Sequence, residues 1–198
     1  VGVDLDPEVL AWGRANHLAK LGKGARKRVQ LVEANVLDVG DEPFDAVGAF
    51  NFSYWIFTRR QDLLRYFRRV RNSLADDGIF FLDHFGGSDS MLECKEKTRI
   101  DGFTYVWDQA SYEPISGHYV CNIHFHFSDG SKLKNAFSYH WRLWTLPEVR
   151  DLLHEAGFQD VMVYWETEDE DGEPSGEFVA VEAGDNDPAF VVYLVARP

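Results

Sequence analysis

The sequence predicts an α/β domain with a doubly wound parallel sheet and an antiparallel β insert. Short apolar strands alternate with amphipathic helical patterns over residues 1–84. A period-two pattern then replaces the 3.6 period, and a helix followed by strands returns at Thr145. We therefore expect a single domain over residues 1–198, with its core at 1–84 and 145–198 and the insert at about 85–144.

The N-terminal segment predicts a strand at residues 1–5 and a helix from Pro7 to about Leu21. Asp6 is a suitable N-cap, and a proline at the first helical position loses no hydrogen bond. Gly22 ends the helical pattern. A second short strand is expected at 29–33.

The next segment predicts a strand at 44–50, a helix at 59–74, a turn at 76–78 and a strand at 79–83. Both strands are almost continuously apolar, which is typical of strands that are buried on both faces. The turn-rich link at 35–43 is too short for a crossover helix. The strands at 29–33 and 44–50 are therefore not expected to be neighbours.

Alternating residues in the insert predict antiparallel strands. The pattern is clearest at 119–127 and at 136–143, which are separated by the turn at 128–131. From about Phe103 to Trp144 we expect a hairpin or a three-stranded meander.

The C-terminal segment begins with a capping box, Thr145 to Glu148, at the start of a helix that ends at Gly157. A strand is expected at 158–165 and a last strand at 189–196. The acidic stretch between them, at 166–177, predicts a solvated loop.

Composition limits the class of partner. Thirty-three acidic and 20 basic residues give a net charge of −13, which disfavours nucleic acid as a ligand. The arginines of helix 59–74 are the one opposing signal, and we interpret them as a solvated face. No apolar run approaches membrane-spanning length. Two cysteines outside any C-x-x-C pair suggest reduced thiols and a cytoplasmic protein. The oligomeric state stays open.

In this order, several segments resemble a class I S-adenosylmethionine (SAM) dependent methyltransferase from its second strand onward. The segments are Val1–Pro7, Asn35–Val36, Phe44–Val47, Arg71–Ile79, Ala156–Phe158 and Val192–Leu194. The resemblance implies a Rossmann-like sheet of the class I methyltransferase type whose first strand is missing. That strand and its G-x-G-x-G loop are expected upstream of residue 1, and we expect the 198 residues alone to bind SAM weakly or not at all.

The resemblance also implies the cofactor, SAM, and its contacts. Asp4 ends the second strand, where an acid can accept hydrogen bonds from both ribose hydroxyls, and Leu5 follows it. Asn35 and Val36 are expected at the adenine, although an asparagine there is also a common turn former. A further pair, Asn51 and Phe52, is expected at the methionine end of the cofactor.

The residues expected to bind or activate the acceptor lie after the fourth strand and in the insert. Candidates for catalysis, as a general base or at the ligand, are His84, His124, His126 and Tyr139. The acceptor pocket is expected to contain Tyr54, Trp55, Trp141 and Arg142. The pair His124 and His126 has no evident third ligand, so no metal site is predicted.

The predicted function is transfer of a methyl group from SAM to a small-molecule N or O acceptor by in-line displacement. Binding that aligns donor and acceptor supplies much of the rate in such a reaction. The family therefore does not prescribe a general base. Two alternatives stay open: an NAD-dependent oxidoreductase, which also has an acid after its second strand, and a degenerate Rossmann-like binding module without catalytic activity.

Overall fold

The structure is a computed structural model that describes residues 1–39 and 43–198. The predicted turn segment 35–43 therefore lies partly, at 40–42, outside the described residues. The chain divides into two compact units, Val1–Pro43 and Phe44–Pro198, and each is described by itself.

The described residues of the first unit form two short parallel strands and two helices. In chain order these are β1 (Gly2–Asp4), α1 (Pro7–Asn16), α2 (Lys23–Arg26) and β2 (Leu31–Glu33). The predicted cap of α1 is confirmed, because Asp6 Oδ1 accepts hydrogen bonds from the N–H groups of Glu8 (2.8 Å) and Val9 (3.3 Å). The helix is shorter than predicted, since a 3-10 turn at Leu18–Lys20 replaces its last turn.

The second unit contains nine strands and two helices among its described residues. In chain order these are β3 (Phe44–Ala49), α3 (Arg60–Asn72), β4 (Leu74–Gly86), β5 (Cys94–Ile100), β6 (Phe103–Glu113), β7 (His118–Phe127), β8 (Lys132–Arg142), α4 (Leu146–Ala156), β9 (Asp160–Glu168), β10 (Pro174–Val181) and β11 (Phe190–Arg197). We call residues 50–59, which join β3 to α3 and include a 3-10 turn at Ser53–Ile56, the connecting segment.

The strands of the second unit form two sheets. The five-stranded sheet has the order β10-β9-β11-β4-β3, and the four-stranded sheet has the order β5-β6-β7-β8. Only β3 and β4 run parallel, and every other neighbouring pair in the unit is antiparallel. The predicted parallel sheet is thus present only in part. The predicted last strand is present as β11, which is antiparallel to both β4 and β9.

Four predicted features differ in the structure. The insert has four strands and not two or three. The additional strand, β5, was not predicted because its residues are almost all polar. Residues 76–78 lie within β4 at a shift in its register with β3. The acidic stretch is a hairpin, in which β9 runs to Glu168 and pairs with β10. Charged side chains are common on such edge strands. Finally, β3 is half exposed and not buried on both faces, since it lies at the sheet edge.

The core of the second unit lies between the five-stranded sheet and helices α3 and α4, which pack against each other. Phe80 of β4 stacks on Phe158 at 5.9 Å between ring centroids, and Phe67 of α3 contacts Phe80 at 6.0 Å. All three side chains are almost completely buried. Burial of such aromatic residues anchors α3 and β4 in fixed register.

The capping box of α4 is confirmed and provides a stability test. Thr145 Oγ1 accepts a hydrogen bond from the Glu148 N–H, and Glu148 Oε2 accepts one from the Thr145 N–H at 2.9 Å. We expect Thr145→Ala to lower the free energy of unfolding by about 1 kcal/mol, as removal of an N-cap does. Urea unfolding measures this change. Thr145→Ser keeps the hydroxyl and should stay near wild type; equal losses in both variants would contradict the capping role.

Candidate functional site

A cavity of about 490 Å³ lies between the inner face of the four-stranded sheet, the connecting segment and the ends of β4 and β11. Its volume is in the range of small-molecule sites. It is lined by Asn51, Phe52, Phe85, Glu96, Thr98, Tyr105, Trp107, Gln109, Ile123, Tyr139, Trp141 and Val191.

Aromatic rings form most of the cavity wall. Tyr139 stacks on Trp141 with centroids 4.3 Å apart, and Phe52 and Trp107 each lie 6.4 Å from Trp141. Gln109 supports this wall, because its Oε1 accepts a hydrogen bond from Trp107 Nε1 (3.3 Å) while its Nε2 donates to two backbone carbonyls. The packed rings therefore form an aromatic wall that favours the binding of flat, apolar or cationic groups.

Glu96 is the one charged residue among the described residues that line the cavity. No described residue forms a hydrogen bond or an ion pair with its carboxylate, although other polar groups nearby can bind a ligand. These are the side chains of Asn51, Thr98, Tyr105 and Tyr139. Burial raises the pKa of both tyrosines, so their phenols stay protonated at neutral pH. The wall thus presents one negative charge to a mostly aromatic space.

Four predicted site residues meet in this cavity. Asn51 and Phe52 reach it from the connecting segment, and Tyr139 and Trp141 reach it from β8. Their roles stay predictions. Sequence reasoning missed Glu96 of β5 and the β6 residues that line the cavity. The alternation of Tyr105, Trp107 and Gln109 along β6 was the signal that could have found the latter.

His84, Tyr54 and Trp55 are core residues and do not line the cavity. Each is at most 1% exposed. The hydroxyl of Tyr54 lies 2.9 Å from His84 Nδ1, and Trp55 packs edge-on against the His84 ring at 5.9 Å. Burial lowers the pKa of His84 to about 3, so the ring is neutral at physiological pH. These placements put Tyr54, Trp55 and His84 outside the lining of this cavity, although His84 borders a separate small recess, and their predicted ligand contacts stay predictions.

His124 and His126 lie on the opposite face of the four-stranded sheet from the cavity, because successive side chains of a strand alternate and Ile123 lines the cavity. His124 Nε2 lies 3.0 Å from Asp108 Oδ2, and its Nδ1 accepts a hydrogen bond from the Asn135 N–H at 2.8 Å. His126 borders a small separate recess. Neither histidine lines the cavity, and their predicted catalytic roles stay predictions.

Asp108 is the hydrogen-bond partner that the buried His124 side chain requires. Burial opposes ionisation of its carboxyl group, but hydrogen bonds from Lys95 and His124 outweigh that effect and lower its pKa. Asp108 and His124 therefore join β6 to β7 across the outer face of the sheet, which is a structural role.

Arg142 is also held away from the cavity. Its guanidinium lies over the Trp144 ring at 3.7 Å and donates to Glu148 Oε1 at 3.0 Å. It joins the end of β8 to the start of α4. The prediction of an acceptor contact by Arg142 is therefore not supported by its position.

The predicted cofactor residues of the first unit are found at the end of β1 and after β2. Asp4 and Leu5 are exposed. Asp4 Oδ1 accepts a hydrogen bond from the Asp6 N–H at 2.9 Å, and no described residue bonds its Oδ2. Asn35 Oδ1 accepts a hydrogen bond from the Leu37 N–H at 2.9 Å, so it forms a turn, while Val36 follows in that turn.

Residues 1–39 and 43–198 contain neither a cluster of metal-ligand side chains nor a membrane-spanning helix. In this part of the chain, no group of three or more His, Cys, Asp or Glu residues is placed to hold a metal ion. None of the described helices has the length and apolar character needed to cross a membrane. Cys94 and Cys121 are free thiols.

Solved structures similar to this chain are SAM-dependent methyltransferases, and they confirm the predicted Rossmann-like α/β fold of that class. No protein-family model and no curated protein matches the sequence. The CcbJ methyltransferase from Streptomyces caelestis has a TM-score of 0.69 and 16% identity. The match covers 99% of this chain and 73% of that protein.

Two further similar structures carry cofactor-related ligands. One is an amino pentose methyltransferase from Micromonospora echinaspora with SAM bound, at a TM-score of 0.64 and 14% identity, covering 100% of this chain and 73% of that one. The other is the glycopeptide N-methyltransferase MtfA with S-adenosyl-L-homocysteine, at a TM-score of 0.59 and 20% identity, covering 98% of this chain and 70% of that one.

The buried His84 predicts an acid-sensitive fold. Its pKa of about 3 in the folded chain compares with about 6.5 when exposed. Between these values the unfolded chain binds a proton that the folded chain excludes, so stability falls as the pH drops below 6.5. From pH 7.5 to pH 5, wild type should lose about 2 kcal/mol more unfolding free energy than His84→Gln.

Urea unfolding at the two pH values measures this difference. His140→Gln, which removes an exposed histidine, should respond to pH as the wild type does. The interpretation is wrong if His84→Gln loses as much stability on acidification as the wild-type protein.

Proposed function

We propose that this protein is a SAM-dependent methyltransferase that methylates the nitrogen of a small-molecule amine. The observation that carries the proposal is the single free carboxylate, Glu96, in an aromatic cavity without a basic side chain among its described lining residues. Such a cavity complements a cation. The fold, shared with SAM-dependent methyltransferases, supports the reaction class.

The described residues fit SAM in part. Asp4 has one carboxylate oxygen that no described residue bonds, and it can accept hydrogen bonds from ribose hydroxyls. The Val36 N–H suits a ring nitrogen of adenine. Asn35 fits less well, because its side-chain oxygen already accepts the Leu37 N–H. Within the first unit, Asp4, Leu5, Asn35 and Val36 are the proposed contacts of the adenosine part.

The open edge of β3 supports the expected additional strand. Among the described residues, β3 pairs with β4 alone, and several of its side chains are exposed. An unpaired edge presents backbone N–H and C=O groups that a further strand can bond. We propose that a parallel strand with a glycine-rich loop pairs there and contributes to cofactor binding.

The acceptor is an amine in this proposal because of the chemistry of the cavity. Glu96 can form a charge-assisted hydrogen bond with an ammonium group, and the rings of Trp107, Trp141 and Tyr139 can bind the same cation through their faces. Two similar structures are described as an amino pentose methyltransferase and a glycopeptide N-methyltransferase, which agrees with a nitrogen acceptor.

The chain's residues would align the acceptor and accept its proton. When bound, SAM supplies an electrophilic methyl group on a sulfonium leaving group. The aromatic walls hold the amine and exclude water, which makes the displacement effectively intramolecular. The bound ammonium group would first lose a proton, which frees the nitrogen lone pair, and that pair would form the new N–C bond as the C–S bond pair returns to the cofactor's sulfur. Glu96 or solvent takes the proton that nitrogen releases.

The other candidate functions make different predictions. A hydroxyl acceptor carries no positive charge for Glu96 to pair with, and the Tyr139 phenol, whose pKa is raised, is a poor base at neutral pH for removal of its proton. A non-catalytic module would show no turnover with any acceptor. An NAD-dependent oxidoreductase would bind the dinucleotide rather than SAM. Similarity to several methyltransferase structures favours methyl transfer over hydride transfer.

The amine proposal predicts a selective effect of Glu96→Gln. The natural protein that carries this chain is assayed with labelled SAM against amino sugars and the matching hydroxyl sugars. Removal of one charge-assisted hydrogen bond should lower kcat/KM for amines about 10- to 100-fold. It should change any activity towards hydroxyl sugars much less.

Glu93→Gln is the matched control, because Glu93 is exposed near β5 and does not line the cavity. Its kinetics should equal those of the wild type. Equal losses for amine and hydroxyl acceptors in Glu96→Gln would contradict the assigned role of Glu96. Turnover only with hydroxyl acceptors in the wild type would contradict the amine proposal itself.

Cofactor binding gives a separate test. Without a strand on the open edge of β3, we expect the 198-residue chain to bind SAM more weakly than about 100 μM, that is with less than about 5.5 kcal/mol. Isothermal calorimetry measures this affinity. Binding at micromolar concentration would show that the described residues suffice and would refute the need for a further strand.

A further inference from the structure

The connecting segment contains two consecutive residues in a conformation that side chains disfavour. Asn51 has φ of 57° and Phe52 has φ of 53°, both in the left-handed region. Each such residue costs roughly 1–2 kcal/mol, and a left-handed pair persists only where its surroundings determine it. These two residues also line the cavity. Whatever holds them therefore determines the shape of that part of the wall.

Asp83 of β4 is the group that holds them. Its Oδ2 accepts a hydrogen bond from the Asn51 N–H at 2.8 Å, and its Oδ1 accepts one from the Phe52 N–H at 2.9 Å. The side chain is 9% exposed. Burial raises the pKa of Asp83, and the two backbone hydrogen bonds partly oppose that shift. One buried carboxylate thus satisfies two N–H groups that the left-handed turn points away from the β3 ladder.

The next residue of β4 holds the same segment from the other side. Side chains alternate along a strand, so Asp83 and His84 lie on opposite faces of the sheet. His84 Nδ1 is 2.9 Å from the Tyr54 hydroxyl, while Phe52 stacks on Trp55 at 5.1 Å. Two consecutive residues of β4, Asp83 and His84, are therefore hydrogen-bonded to the connecting segment.

We propose that Asp83 is a positioning residue whose two carboxylate oxygens hold Asn51 and Phe52 at the cavity wall and thereby align the bound acceptor. This inference rests on the proposed methyl transfer. Asp83 does not line the cavity, so it acts through the backbone of the two residues that do.

Asparagine distinguishes this role from simple packing. Asp83→Asn keeps the volume of the side chain but leaves one acceptor oxygen and places an N–H₂ group against a backbone N–H donor. Packing alone would tolerate this exchange. We call the pair of hydrogen bonds from the Asn51 and Phe52 N–H groups to the Asp83 carboxylate the clamp. The clamp would not tolerate the exchange, because one of the two N–H donors loses its acceptor.

Amide hydrogen exchange tests the clamp directly and does not depend on turnover. In the wild-type protein, the Asn51 and Phe52 amides should exchange at least about tenfold more slowly than unprotected amides. In Asp83→Asn they should exchange at least about tenfold faster than in the wild type, which corresponds to about 1.4 kcal/mol. The ladder between β4 and β11 should change much less.

Asp77→Asn is the matched control, because Asp77 is an exposed residue of the same strand. Its exchange pattern should equal that of the wild type. Unprotected Asn51 and Phe52 amides in the wild type would overturn the clamp, even if Asp83→Asn fails to fold. Unchanged exchange in folded Asp83→Asn would overturn it as well.

Steady-state kinetics test the positioning role in the natural protein that carries this chain. Asp83→Asn should raise the acceptor KM and lower kcat/KM about tenfold or more. A merely structural role would reduce the active fraction, so kcat would fall at unchanged KM, and that result would overturn the proposal. Wild-type protein without any methyl transfer would instead contradict the proposed function, while the exchange result would still decide the clamp.

Discussion

The burial of Trp55 between the two sheets of the second unit is the contact on which the rest of the site depends. Its ring lies 5.9 Å from that of His84 in the five-stranded sheet and 5.6 Å from that of Trp141 in the four-stranded sheet. Because the ring is completely buried, it acts as a spacer that sets the distance between the sheets. The cavity lies beside Trp55, where aromatic side chains do not fill the space between the two sheets.

The charged groups of the four-stranded sheet differ between its two faces. On the outer face of the four-stranded sheet, Asp108, Lys95 and His124 satisfy one another. On the inner face, Glu96 has no described partner. Glu96 is exposed, so its carboxylate is free to pair with a cationic ligand. This contrast with the paired groups of the outer face underlies the amine proposal.

Parts of this arrangement were predictable because they depend on local patterns. The Asp6 cap and the capping box at Thr145 are short-range hydrogen bonds between near neighbours in the chain. The cavity-lining positions of Tyr139 and Trp141 follow from period-two alternation once the strand is recognised. His84, Tyr54 and Trp55 were assigned to the ligand because they end strands or follow them, and only packing shows that they fill the core.

The α/β class, the antiparallel strands after β4 and the acid at the end of β1 could be predicted from the sequence, since each depends on the order and period of residues. Tertiary structure alone decided which face of the insert lines the cavity, because a shift of one residue exchanges the two faces. It placed Glu96 in the cavity and His124 behind it. It also brought Asp83 to Asn51 and Phe52, which are about thirty residues away in sequence.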